Sequence, residues 1–178
     1  MNEEVVHGIP GNRILQEGDI VSLDMGVLYK GYFTDAAITV GVGKIFPMAQ
    51  KLIDVTRKSL ELGIEQAKAG NHLGDIGAAI QKYVELNGFS VVRDLVGHGV
   101  GKFIHEEPEI PNFGKKGAGL ELQEGMVLAF EPMVNMGSYK VKTLADGWTF
   151  ATQDKKYSAH FEHTVAIGKN GAEVLTKL

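Results

Sequence analysis

The sequence predicts an α/β chain of the α+β kind: antiparallel strands forming a sheet, with two helices covering it. Three observations carry this. Residues 20–40 are two runs of strand formers divided by Lys30-Gly31, the pattern of a hairpin. Residues 47–86 place apolar side chains at helical spacing. Strand-like segments return at Met126–Asn135 and Tyr157–Ile167.

Taken in order, Val5 and Val6 suggest a short strand ended by Gly8 and Pro10, with His7 at its end. A histidine there is by itself more often structural than catalytic. After a polar turn comes the hairpin. If Lys30 and Gly31 form its loop, Tyr29 pairs with Tyr32 and Asp24 falls opposite Ala37. Asp35 is then the diagonal neighbour of Asp24 on the same face. Diagonal neighbours lie about 7–8 Å apart at the backbone, within bridging reach of their side chains. Aspartate is depleted in strand interiors, so two on one face need a reason.

Pro47 fits the first helical position. Ala49, Leu52, Ile53, Thr56, Leu60, Ile64 and Ala67 mark one face of a helix that Gly70-Asn71 should end. A second helix is expected over Leu73–Leu86, stopped by Asn87-Gly88. His72, in the turn between them, reads as a solvated loop residue. Phe89–Leu95 reads as a strand. It leads into V-G-H-G-V-G-K-F-I-H-E-E-P-E-I-P-N, Val96–Asn112, on which the functional reading centres. His98 and His105 sit there among glycines that permit sharp turns or close approach, a poor setting for core histidines. From Pro108 to Gly119 a long loop is expected.

Ile14-Leu-Gln-Glu-Gly18 is echoed by Leu120-Glu-Leu-Gln-Glu-Gly125, and each precedes a strand carrying an acid. This hints at internal duplication, with Glu131 echoing Asp24. Glu131 lies within an apolar strand and is followed by Pro132, which implies an edge or a bulge, features that re-aim side chains beside active sites. In Tyr157–Ile167, alternation puts His160, Glu162 and Thr164 on one side, and Phe161, His163 and Val165 on the other. Trp148, the single tryptophan, reads as a core residue on sequence grounds alone.

Composition bounds the rest. At 44% hydrophobic and 22% charged, the 178 residues suit one ordinary globular domain, and no linker or low-complexity segment divides residues 1–178. A net charge of −4 gives no basic surface for nucleic acid or an acidic membrane. There is no cysteine and no long apolar span. The acidic N-terminus has no secretory pattern, and a cytoplasmic location is the default.

Asp24, Asp35, His98, Glu131 and Glu162 thus form an oxygen-rich donor set suited to Mn²⁺, Fe²⁺, Co²⁺ or Zn²⁺. Gathered without a cation, four carboxylates would repel one another and raise their own pKa values. Two divalent ions, which in dinuclear sites lie about 3.5–4 Å apart, would balance them.

The wordings H-G-I-P, D-x10-D on a hairpin, G-H-G-x-G, H-E-E-P, E-P-M-V-N, D-G-W-T and F-E-H-T occur in that order along essentially the whole chain. Together they resemble type I methionine aminopeptidases. Prolidase and aminopeptidase P are related, but H-G-I-P, H-E-E-P and D-G-W-T favour the methionine enzymes. The resemblance implies the pita-bread fold, a curved antiparallel sheet with internal pseudo-symmetry. It implies removal of an N-terminal methionine from peptides and nascent proteins by attack of a metal-bridging water. It implies two divalent ions on Asp24, Asp35, His98, Glu131 and Glu162, with Asp35 and Glu162 bridging and Glu131 also handling the nucleophile's proton. It gives His105 a contact with the scissile amide, His7 a place near the leaving group or intermediate, and Trp148 and Met133 places near the methionine pocket. Ile104 stands where relatives often carry an aromatic residue. Relatives also carry a segment ahead of the H-G-I-P strand. Its lack leads to an expectation of self-association or of a partner chain over the surface left bare around the Val5 strand, unless the Pro111–Gly119 loop folds across it. The alternatives are a prolidase-like peptidase and a weakly active or non-catalytic binding module.

Overall fold

Val5 and Val6 form the short strand their β-branching favours, β1 (Glu4–Val6). The hairpin follows as β2 (Ile20–Tyr29) and β3 (Tyr32–Gly41), in the register read from its loop, with Tyr29 opposite Tyr32 and Asp24 opposite Ala37. Lys30 and Gly31 take φ of 48° and 81°, the paired left-handed residues of a type I′ turn. The structure is a computed structural model and describes residues 1–177.

Two helices come next, α1 (Pro47–Ile64) and α2 (Leu73–Leu86). Here α1 stops short of Ala67. Its end tightens, with Gln66 N–H donating to Gly63 O and Ala67 N–H to Ile64 O, the closer spacing that satisfies orphan carbonyls at a helix end. His72 is not a free loop residue. It is the N-cap of α2, and its backbone N–H donates to Asp75 Oδ2 at 2.8 Å.

The remaining strands are β4 (Ser90–Val91), β5 (Gly97–Gly99), β6 (Glu106–Ile110), β7 (Val127–Phe130), β8 (Met133–Asn135), β9 (Val141–Thr143), β10 (Phe150–Thr152), β11 (Ser158–His160), β12 (Glu162–Ile167) and β13 (Ala172–Val174). Among the described residues they form a seven-stranded sheet, in the order β2-β3-β12-β7-β5-β6 with β13 on β12, and two three-stranded sheets, β1-β10-β9 and β11-β8-β4. Buried faces of α1 and α2, among them Leu52, Ile53, Ile76 and Ile80, share one core with Leu128, Phe130 and Val165. A smaller cluster gathers Val5, Val6, Val92, Met133 and Val141.

Three sequence expectations are corrected. Phe89–Leu95 is a strand only at Ser90–Val91, which pairs with β8. Residues 106–110, read from Pro108 onward as loop, form β6 against β5; this is the outermost strand of its sheet, the place where a proline's missing N–H is tolerated. The Val5 strand is not bare, its valines being buried and the strand paired with β10, and the Pro111–Gly119 loop is not what covers it. That loop is tied to α2, with Gly117 N–H donating to Asp75 Oδ1 and Gly74 N–H to Ala118 O, and a side chain at Gly77 would run into the Phe113 carbonyl.

The duplicated wording has a structural counterpart. Gly18 N–H donates to Val42 O, Asp19 N–H to Gln16 O and Val42 N–H to Asp19 O; Gly125, Met126, Gln123 and Ile167 make the corresponding bonds. Both glycines have positive φ, 99° and 91°. Asp24 and Glu131 each lie five residues beyond the residue that closes this turn.

The face of β2 that carries Leu23, Met25, Val27 and Tyr29 has no covering layer among the described residues, and Met25 is 68% exposed. β2 is also an outermost strand of the large sheet.

Candidate metal centre

The strand read over Met126–Asn135 breaks at Glu131-Pro132, and the one read over Tyr157–Ile167 breaks at Phe161. In the first the chain passes from the large sheet into a small one, and in the second from that same small sheet into the large one. Proline cannot donate to the ladder, which accounts for the first break. Pairing keeps one register across the gap: Phe130 lies opposite His163 before it, and Met133 opposite His160 after it. Glu131 and Glu162 therefore face each other where the sheets part. Glu162 also pairs with Ala37, and Ala37 with Asp24. The ladder so places Asp24, Glu162 and Glu131 in one row across the sheet. Asp35 lies two residues from Ala37 on the same face, and His98 joins through its pairing with Ala129.

Local hydrogen bonds hold these groups. Thr164 Oγ1 accepts from Asp35 N–H and donates to Asp35 O, both at 2.8 Å. Asn112 Nδ2 donates to the Glu131 carbonyl at 3.0 Å. His98 Nδ1 lies 2.9 Å from Gly99 O, and since a carbonyl only accepts, the ring proton is on Nδ1. The bare Nε2 then faces Glu131 Oε1 at 3.5 Å and Glu162 Oε1 at 3.9 Å. Fixing the tautomer through the distal nitrogen is how ligating histidines are prepared. Gly97 and Gly99 serve the strand rather than a ligand. A side chain at Gly97 would strike Ala129 O, and one at Gly99 would strike Glu107 O.

Three groups of side chains offer ligand atoms within 4.8 Å of one another: Asp35/His98/His105, His98/Glu131/Glu162 and Asp24/Asp35/Glu162. Asp35 and Glu162 each belong to two of them. The electrostatics fit a missing positive charge. Glu162 is 2% exposed; desolvation, then Glu131, Asp35 and Asp24, push its carboxyl up to about 10. Burial, then Asp24, raises Asp35. Glu162 Oε1 is buried without a hydrogen-bond partner. A divalent cation meets all three conditions, and hard oxygen donors with one imidazole suit such an ion.

The other predicted residues are placed as follows. His7, His98, His105, Glu131 and Met133 line one open cavity of about 440 Å³, within the usual range for small-ligand sites. His105 is exposed at its mouth, with its ring edge-on to His98 at 4.5 Å. Met133 is fully buried. Trp148 is neither core nor cavity wall. It is 64% exposed, because the Asp146 carboxylate caps the backbone N–H groups of Trp148 and Thr149 and so holds a tight turn with the indole outside. Ile104 packs against Gly26, where a side chain would collide with it.

Sequence reasoning passed over three residues that shape the site: Asn112, Thr164 and His160. His160 was detectable, since it stands two residues from Glu162 on the same face. The role of Asn112 depends on a long-range contact that no local pattern encodes.

A profile of metallopeptidase family M24 matches residues 1–169. A methionine aminopeptidase of Clostridium perfringens is 60% identical over 99% of this chain and 71% of its own length. Methionine aminopeptidase 1 of Bacillus subtilis is 54% identical over 100% of this chain and 72% of its own. The crystal structure of a methionine aminopeptidase from Thermotoga maritima superposes with a TM-score of 0.97 at 51% identity, covering 99% of this chain and 72% of that one. A prolidase from Pyrococcus furiosus shares the fold with a TM-score of 0.76 at 27% identity, covering 97% and 45%. With its fold, its carboxylate-rich centre and these relatives, the chain belongs to the pita-bread metallopeptidases of family M24, among the methionine aminopeptidases.

Proposed function

We propose that this chain removes the N-terminal methionine of peptides and nascent proteins at a centre of two divalent ions held by Asp24, Asp35, His98, Glu131 and Glu162. The observation that carries the reading is the overlap of ligand groups: Asp24/Asp35/Glu162 and His98/Glu131/Glu162 share Glu162, and Asp35 reaches toward His98 as well. Two subsites with common carboxylates would suit a pair of ions, with Asp35 and Glu162 as the ligands they would share. Mn²⁺, Fe²⁺, Co²⁺ and Zn²⁺ all fit this donor set. When bound, the ions supply a more acidic water and polarise the scissile carbonyl.

The chain's own groups do the rest. Glu131, partly open to the cavity, accepts the proton of the attacking water on a carboxylate oxygen. His105, at the mouth beside His98, donates a hydrogen bond to the scissile amide. His7, across the cavity, faces the leaving group. Met133, with Val6 and Leu95, gives an apolar wall that suits an unbranched thioether side chain. Trp148 is left out of the contact set because it lies outside the cavity lining. Residues 1–178 act as one catalytic domain. No helix among the described residues is long and apolar enough to cross a membrane, and a cytoplasmic site of action is part of the same reading. The bare Leu23-Met25-Val27-Tyr29 face at an outermost strand supports engagement of a second copy or a partner chain.

The test is elemental analysis of the purified chain together with hydrolysis of a Met-Ala-Ser peptide. Close to two divalent ions per chain and metal-dependent release of free methionine are expected. Chelator-resistant hydrolysis, or no methionine released at full metal load, would overturn the reading.

A further inference from the structure

His160 belongs to none of the groups that offer three ligand atoms to one ion, yet its side chain is buried in the centre. It is 0% exposed, and neither Nδ1 nor Nε2 has a hydrogen-bond partner. A buried imidazole with both nitrogens unpaired is costly to the fold, so its presence needs a reason outside packing. Its neighbours supply one. Nε2 lies 3.5 Å from Glu131 Oε2, and Nδ1 lies 3.9 Å from Asp24 Oδ2. On the other side of the same carboxylate, His98 Nε2 lies 3.5 Å from Glu131 Oε1. The Glu131 carboxylate is thus bracketed by two imidazoles, one on each oxygen.

The ring's place is set by the sheet. His160 N–H donates to Thr39 Oγ1 at 2.9 Å, and Thr39 Oγ1 donates back to His160 O at 2.7 Å. The internal duplication points the same way. Counting seven residues back from Val42, the cross-strand partner of the first turn, reaches Asp35; the same count from Ile167, the partner of the second, reaches His160. The second half of the chain therefore presents an imidazole where the first presents a carboxylate.

We propose that His160 is a positioning residue of the metal centre, its Nε2–H directed at Glu131, the nearer carboxylate, and holding it in ligand orientation from behind without itself binding an ion. The 3.5 Å separation exceeds that of a hydrogen bond, and the contact tightens when an ion draws Glu131 into place. The proposal rests on the metal reading above. In metal sites, partners that orient ligands in this way typically carry about 10–100-fold in metal affinity.

The experiment compares wild type, His160→Leu and His160→Gln by calorimetric titration with Mn²⁺ and by thermal melting of the chelator-treated proteins. Leucine keeps the volume without hydrogen bonding; glutamine keeps an N–H donor for the carboxylate. His160→Leu is expected to weaken Mn²⁺ binding by about 10–100-fold while the metal-free melting temperature holds or rises, because two unpaired nitrogens have gone. His160→Gln should restore most of the affinity. A purely structural residue would lower melting temperature and affinity together. Pulsed paramagnetic resonance on the Mn²⁺-loaded proteins should show the same coordinated imidazole nitrogens in wild type and His160→Gln. Loss of one in the variant would make His160 a ligand and overturn the positioning role. Unchanged affinity in His160→Leu overturns it as well. Failure of the wild type to bind Mn²⁺ would instead overturn the metal reading, and this inference with it.

Discussion

Glu162→Gln should stabilise the metal-free protein and weaken the metal-loaded one. Burial, reinforced by Glu131, Asp35 and Asp24, pushes Glu162 up to about 10. Without a cation, the folded chain therefore keeps this carboxyl protonated at neutral pH, whereas the unfolded chain ionises it. At pH 7.5 that difference spans about 3 pH units above the ordinary glutamate value, and at about 1.36 kcal/mol per unit it costs up to about 4 kcal/mol. Glutamine has the shape of the protonated acid and nothing to ionise. For a chain of this size, each kcal/mol moves Tm by about 2–4 °C, so the variant could gain up to about 8–16 °C. This is an upper bound, because water entering the cavity relieves part of the burial. Native Glu162 binds more protons than unfolded Glu162 between pH values of about 4.5 and 10. Metal-free wild type should therefore lose stability as pH rises through that window, by up to about 1.4 kcal/mol per pH unit, and the variant should lack this slope. The assay is denaturant unfolding of chelator-treated protein at pH 6, 7, 8 and 9, repeated with Mn²⁺. Parallel pH profiles for the two proteins, or a variant that binds Mn²⁺ as wild type does, would refute the reasoning.

Three further outcomes are expected. Glu131→Gln should retain the fold and lower turnover by at least about 10²–10⁴-fold, since an amide cannot take a proton; turnover near wild type in the metal-loaded variant would remove Glu131 from the proton-transfer role. His105→Ala should lower turnover by about 10²–10⁴-fold with little loss of bound metal, because its contact is with substrate; a large fall in metal content would recast it as a ligand. Light scattering across concentrations should show association that Met25→Lys and Leu23→Lys suppress, by placing charge on the bare hairpin face; a strictly monomeric wild type that binds no hydrophobic dye would rule out that use of the face.

Local sequence determined the hairpin and nearly all of both helices, because their signals lie within one turn of chain. Lys30-Gly31 sets a register in which Asp24 meets Ala37, and Pro47 and Asn87-Gly88 bound the helical region. The acids were legible for the same reason, since charges inside apolar strands conflict with their surroundings unless something pays for them. Only the tertiary structure decided where the strands stop. Met126–Asn135 and Tyr157–Ile167 alternate without interruption as sequence, yet both divide where the sheets part, and that division brings Glu131 opposite Glu162. Strand β6 was hidden because its pairing with β5 is tertiary while its Pro108 is a local signal against strand. Trp148 was misplaced from sequence because its exposure follows from the Asp146 turn and not from its hydrophobicity. Above all, periodicity can place His160 on the face of Glu162, but it cannot bring Asp24 and Glu131 to either side of its ring. That takes strands from both ends of the chain, joined through threonine hydroxyls that donate to backbone carbonyls more than a hundred residues away.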